Sequence, residues 1–220
     1  TMTVHKGMRY ADRSARDKKA MCGKMLTFGY NGTGQGNEEG APSLPHYFTP
    51  GTGKTEVPEL STEMREMFVD HADALAKCMG EHAPELLDQM RDVVKGDHGE
   101  KYSISGMCPA WAFAMSVAYV TSPHEDKRER VPSAILFVCR EPVDDWYFQA
   151  DGYLIKLPTE VGMARLVVLD STRVKHGTLY STTKPHHKNV GTVLLVDREM
   201  TTAIRNLNAM TIQSVARRVL

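Results

Sequence analysis

The apolar residues of this chain change their spacing near residue 100, and that change constrains the fold more than any other feature. Before it, Met64, Met67, Phe68, Ala72, Leu75 and Met79 recur at helical spacing behind Ser61, which offers an N-cap. A second helix is predicted from Pro84 to Lys95, with Leu86, Leu87, Met90, Val93 and Val94 apolar and Gly96 ending it. After residue 100, short apolar runs separated by turns take over. They are Ala114–Thr121, Ala134–Cys139, Trp146–Gln149, Tyr153–Leu157, Arg165–Leu169 and Thr192–Val196. So many short strands in so short a span predict a sandwich or barrel. A last helix is predicted from Met200 to Val219. The class is therefore α+β, a β-core flanked by helices.

At 220 residues the chain suffices for one domain with a real core. The domain divides into a helical and loop-rich part at 1–100, the β-core at 101–198 and the C-terminal helix at 199–220. Residues 4–25 are basic and weakly periodic, which predicts a further helix. Residues 29–58 are rich in glycine and proline and predict a long loop of the kind that often binds or covers a site. The composition, 41% hydrophobic and 25% charged, is ordinary for a soluble protein. No apolar stretch reaches the length of a membrane span, and the first residues lack the apolar core of a secretory signal. Cys22, Cys78, Cys108 and Cys139 stand singly, so free thiols in a reducing compartment are expected, the nucleus or else the cytoplasm. A monomer is expected. The net charge is zero but unevenly spread: residues 1–28 carry +5, residues 161–220 carry +6, and the stretch between carries −11. That polarity permits a basic face for a polyanion without demanding one.

Chemistry concentrates at His124-Glu125-Asp126, directly behind the run that ends at Thr121. On an extended segment His124 and Asp126 point the same way and Glu125 points away. A lone histidine, His176, follows several predicted strands later. Two histidines and one carboxylate can bind one face of a ferrous ion, leaving positions open for a co-substrate and O2. His71-Ala-Asp73 has the same spacing but lies within a predicted helix, with no strand series leading to a partner histidine, and reads as a helix face. A co-substrate of the α-keto acid type would need a cation for its far carboxylate. Lys188, opening the strand that ends at Val196, is the first candidate, with Arg173 and Arg165 behind it. Lys184, His186 and His187 are nearby, and the adjacent histidines of Pro185-His186-His187-Lys188 read as a surface turn.

Other chemistries fit less well. Gly51-Thr-Gly-Lys-Thr55 lacks the first glycine of a phosphate-binding loop, because position 48 is Phe48. No serine sits in a nucleophile elbow, and no cysteine has a catalytic signature.

The segment from Ser122 to Val196 resembles the iron(II)/2-oxoglutarate dioxygenases, and within them the TET and J-binding-protein group. The matching stretches are Ser-Pro-His-Glu-Asp (122–126), Pro-Ser-Ala-Ile-Leu-Phe-Val (132–138), Asp-Gly-Tyr-Leu-Ile-Lys-Leu (151–157), Leu-Val-Val-Leu-Asp-Ser (166–171) and Val-Lys-His-Gly (174–177). Thr27-Phe-Gly-Tyr30 is similar to the nucleotide-recognition lead-in of these enzymes. The resemblance implies a double-stranded β-helix (jelly-roll) core and Fe(II) on His124, Asp126 and His176. It further implies 2-oxoglutarate as co-substrate, and DNA carrying 5-methylcytosine or a related methylated base as substrate. The group usually has Arg where Lys188 stands, and one branch uses ascorbate instead to modify 5-methylcytosine, so ascorbate is the alternative co-substrate. A related oxygenase acting on a protein or a small molecule is the alternative function. A base must leave the duplex to reach such a pocket. Tyr30, Tyr47, Phe48 and Trp111 are candidate stacking partners for it, and Lys6, Arg9, Arg13, Arg16, Lys18 and Lys19 candidate phosphate contacts.

Overall fold

A computed structural model describes residues 22–30, 62–121, 123–179 and 188–219. Among these, the chain runs β1 (Cys22–Gly29), α1 (Thr62–His82), α2 (Pro84–Gly96), β2 (Ala112–Val120), β3 (Ser133–Val138), β4 (Tyr147–Ala150), β5 (Tyr153–Lys156), β6 (Ala164–Leu169), β7 (His176–Leu179), β8 (Val190–Leu195) and α3 (Arg198–Val219). The strands form two antiparallel sheets, one in the order β1-β2-β8-β3-β6 and one in the order β5-β4-β7. The α+β class stands. All six predicted runs are strands, displaced by a residue or two at their ends.

Two elements differ from expectation. Cys22–Gly29 is a strand, so the predicted helix over 4–25 does not extend to its end; residues 4–21 lie outside the described region, as do 31–58 of the predicted loop. β1 pairs along β2 from Cys22↔Val120 to Gly29↔Ala112, and that pairing overrides a weak helical period. β7 is not among the six predicted runs, although His176 is expected at a strand end, and it opens this strand. Its sequence, His-Gly-Thr-Leu, contains no apolar run, and it is extended because β4 pairs with it from Tyr147↔Leu179 to Ala150↔His176.

The helices follow their apolar stripes. Phe68, Ala72, Leu75, Ala76 and Met79 of α1 are buried, as are Leu86, Leu87, Met90 and Val94 of α2. Ala83 separates the two helices because the residue before Pro84 is driven out of the helical region (φ −150°, ψ 55°). α2 ends at Gly96, which is itself the last helical residue, one beyond the predicted Lys95. The left-handed residue beyond it is His98, at φ 55°, and Gly99 donates its N–H back to Val94 O at 2.8 Å.

Two cores result. One joins the helices to the five-stranded sheet through Phe68, Met79, Met90, Trp111, Phe113, Leu194 and Ile204. The other joins the two sheets through Phe137, Trp146, Phe148, Leu157 and Val167. β3 serves both: Ala134 and Leu136 face the helices, Ile135 and Phe137 the second sheet. A strand covered on both sides reads as a continuous apolar run, which is why Ser-Ala-Ile-Leu-Phe-Val shows no alternation. Gly29 has φ 109°, and a Cβ there would run into the Trp111 carbonyl, so glycine is required where β1 meets β2. No helix among the described residues is long and apolar enough to cross a membrane.

Candidate metal centre

β2 ends at Val120, and Thr121 donates its backbone N–H to Thr178 O of β7, at 3.3 Å. The chain thus leaves the five-stranded sheet and crosses to the other. Three residues on, His124 and His176 exchange both backbone hydrogen bonds at 2.9 Å, an isolated antiparallel bridge beside β7. Directly opposed residues of an antiparallel pair share a face. The two imidazoles accordingly lie side by side, with ring centroids 4.7 Å apart. Asp126 N–H donates to Ser171 O at 2.8 Å, and Ser171 is itself held by a buried hydroxyl pair with Ser133 at 2.7 Å. The loop before β7 therefore places Asp126 against both histidines.

The ligand atoms of His124, Asp126 and His176 all lie within 4.8 Å of one another. His124 Nε2 is 3.4 Å from Asp126 Oδ1, and His176 Nε2 is 3.2 Å from Asp126 Oδ2. Those separations exceed the ~2.8 Å of a good charge-assisted hydrogen bond. They approach the spacing of about 3 Å expected for two atoms bound at ~2.1 Å to one ion at right angles. His176 Nδ1 lies 3.0 Å from Val174 O. A carbonyl only accepts, so Nδ1 carries the hydrogen and the Nε2 lone pair faces the cluster, as metal binding requires. Burial works to raise the Asp126 carboxyl, but when the two imidazoles are protonated and no metal is bound, their hydrogen bonds and charge outweigh it and hold the group well below the usual carboxylate range; in the neutral rings the Nε2 lone pair is free for a metal. The donor set thus comprises two imidazole nitrogens and one anionic oxygen, which suits ferrous iron and other divalent first-row metals. Glu125 lies outside the cluster and pairs with Lys127 at 3.5 Å.

His176 is 4% exposed and backed by Phe148, 5.8 Å away between ring centroids. The His124 and Asp126 side chains are 34% and 45% exposed, so the cluster opens to solvent on one side. Nearby Glu129 is buried, accepts a hydrogen bond from Val196 N–H at 3.1 Å, and has its carboxyl pushed up to about 8 by burial, with the charges of Asp197 and Asp126 adding.

The remaining candidates fare differently. His71 lies on the exposed side of α1 with Nδ1 2.7 Å from Met67 O, and Asp73 accepts a hydrogen bond from the Ser105 hydroxyl; both belong to a helix surface. Lys188 is exposed, two residues before β8, and its backbone N–H donates to Glu141 Oε2 at 3.2 Å. The Arg173 side chain is 86% exposed and pairs with Asp170 at 3.5 Å. Arg165 is exposed and donates to Lys156 O. No lysine or arginine is buried among the residues whose side chains are described, a set that leaves out Lys24, Arg65, Arg217 and Arg218. Trp111 is core, 1% exposed, and its indole N–H donates to Gly99 O at 3.2 Å, so it cannot stack on a substrate. Tyr30 packs edge-on against Tyr102, with ring centroids 5.2 Å apart. Tyr47, Phe48, Lys184, His186, His187, residues 51–55 and the basic residues from Lys6 to Lys19 lie outside the described region.

Sequence reasoning missed the Val174 and Ser171 carbonyls, which orient His176 and Asp126. A backbone carbonyl has no signature in the residue type that bears it. Cys108 offers no competing nucleophile, since burial pushes its thiol up to about 12. No protein-family model matches the chain, and no curated protein matches it at a significant level.

Proposed function

We propose that this protein is an Fe(II)-dependent dioxygenase that oxidises the methyl group of 5-methylcytosine, or a related methylated base, in DNA. The observation that carries the oxygenase reading is the convergence of His124, Asp126 and His176 across one β-bridge, with the Nε2 of His176 freed by its Nδ1 bond to Val174. Bound there, iron supplies oxidising chemistry with O2 and a reducing co-substrate. The chain's own residues do the rest. The paired strands hold the imidazoles side by side in register, Asp126 offsets the metal's charge, Phe148 keeps water from the back of His176, and the open side admits the substrate.

We read the fold as a double-stranded β-helix, and the pairing supports it. Such a fold is one long hairpin of eight strands wound on itself, so first pairs with last, second with seventh, third with sixth and fourth with fifth. With β1 set aside and the bridge at His124 counted as a strand, those pairs are β2·β8, His124·His176, β3·β6 and β4·β5. Winding then adds β8·β3 and β7·β4.

The DNA substrate and the kinship with the TET and J-binding-protein group rest on the sequence resemblance. Ascorbate is the second reading for the co-substrate, favoured by the exposure of Lys188 and Arg173. Anaerobic loading with Fe(II), followed by O2 with 2-oxoglutarate or ascorbate in separate arms on methylated DNA, tests both. Mass spectrometry of the nucleosides should show loss of 5-methylcytosine in one arm. No iron bound and no co-substrate consumed in either arm sinks the oxygenase reading.

A further inference from the structure

The helices leave part of the sheet face beneath them uncovered. Strand register gives that face three apolar rows. Phe113 opposes Leu194, Thr192 lies between Met115 and Leu136, and Val190 lies between Val117 and Val138. Opposed residues share a face, and residues two apart on a strand share it too. The first row is sealed under the helices, with Phe113 and Leu194 each 1% exposed. The other two are covered only in part: Leu136, Val117 and Val138 are half-buried. A cavity of about 740 Å³ lies there, floored by Met115, Leu136, Val138, Val190 and Thr192. α1 walls it with Met67, His71, Ala74 and Leu75, which recur on one side of the helix. Val161 and Gly162 form a further wall, in a loop pinned to the end of β3. There Gly162 N–H donates to Cys139 O and Cys139 N–H to Met163 O, both at 2.9 Å. The second sheet, which carries His176, packs on the other face of the five-stranded sheet, so this cavity is separate from the metal cluster.

The chemistry of the lining is one-sided. The Thr192 hydroxyl donates to Leu136 O and the Cys139 thiol to Glu141 O, each at 3.3 Å, so both are already used. Arg140 is the one lysine, arginine or carboxylate side chain in the lining. It is exposed, as is His71, so the two stand at the mouth, and its guanidinium forms no ion pair among the described residues. The volume falls within the range of about 300–1,000 Å³ typical of small-molecule sites, which are mostly apolar with a few placed polar groups. An apolar slot with a cation and no acid at its mouth complements an apolar chain that ends in an anion. Its width, set between a helix and a sheet, suits a single chain rather than a bilayer surface.

We propose that the cavity between α1 and the five-stranded sheet binds a free long-chain carboxylate, with the chain along Met115, Leu136 and Val190 and the head at Arg140. Calorimetric titration of the full chain with dodecanoate, kept below its micelle-forming concentration, tests this. One molecule should bind per chain. Each buried methylene strengthens binding roughly fourfold, so decanoate should bind about tenfold more weakly. Dodecylammonium, equal in length and opposite in charge, should bind more weakly than dodecanoate. Arg140→Gln should weaken dodecanoate roughly two- to fivefold and remove the preference for the anion. Ala74→Phe fills the slot from an exposed helix position and should abolish binding with the melting temperature unchanged. Several outcomes overturn the proposal: no saturable binding of dodecanoate, dodecylammonium bound as tightly, a preference for the anion that survives Arg140→Gln, or Ala74→Phe binding within twofold of the parent. Attachment to phosphatidylglycerol vesicles by a chain that ignores dodecanoate overturns it as well, and assigns the surface to a membrane.

Discussion

At the scale of single residues, the three proposed ligands divide by burial. His124 and Asp126 sit on the open side, whereas His176 is packed against Phe148. Replacing any one by alanine should abolish stoichiometric Co(II) or Fe(II) binding, measured by absorption titration under anaerobic conditions. His124→Ala and Asp126→Ala should leave the metal-free melting temperature nearly unchanged, while His176→Ala lowers it. Full metal binding by any of the three variants removes that residue from the site. His124 and Asp126 were legible as a pair because spacing of two on an extended segment is a local property. The choice between His124-x-Asp126 and His71-x-Asp73 was legible from the flanking periodicity. The orientation of the His176 ring was not, because it depends on a carbonyl brought to it by the fold.

At the scale of elements, the loop that carries Asp126 is fastened to the helices through one buried carboxylate. Asp97, just past α2 and 2% exposed in its side chain, accepts hydrogen bonds from Arg130 Nη1 at 2.9 Å, Thr201 Oγ1 at 2.7 Å and Arg205 Nη2 at 2.7 Å. Arg130 in turn donates its backbone N–H to Val196 O at 2.9 Å. α2, the loop that carries Asp126 and α3 therefore share an anchor. Burial alone would raise the Asp97 carboxyl, but the hydrogen bonds from Thr201 and Arg205 and the charges of Arg130 and Arg205 lower it overall. A carboxyl depressed in the folded state lends stability that is fully present above its unfolded value of about 3.9 and is lost as pH falls through the folded value beneath it. Asp97→Asn should cost about 1.5–3 kcal/mol at neutral pH. The gap between the two proteins, read from urea unfolding, should close only below about pH 4. A gap independent of pH down to 2 would show that the charge on Asp97 contributes nothing. None of this was legible beforehand: Asp97 is one acidic residue among many at a helix end, and its partners lie 33 to 108 positions away. β1 was missed, and the extent of β7 beyond His176 was not legible, for a related reason: each is extended through pairing with another strand.

At the scale of the whole molecule, the proposed metal cluster joins segments that the chain separates by 50 residues (Asp126 and His176), so it exists only in the folded chain. Metal that binds only the folded state must then stabilise the whole fold. At a free concentration 100 times the Kd the gain is about 2.7 kcal/mol, or roughly 5–10 °C in Tm for a domain of this size. Calorimetry with and without Co(II) should show that rise in the parent chain and none in His176→Ala. An equal rise in the variant would place the metal elsewhere.

The sequence by itself determined the alternation of helix and strand, the α+β class and the candidate pair His124 and Asp126. Each of these is written in periodicity or spacing over a few neighbouring positions. Only the tertiary structure decided that His176 faces His124, that Trp111 is core and unavailable for stacking, that Lys188 is exposed, and that Tyr153 stands in the row of His124 and His176. Those outcomes depend on strand register and on which sheet each strand joins. Register is set by the packing of both faces at once, and no local stretch of sequence carries it.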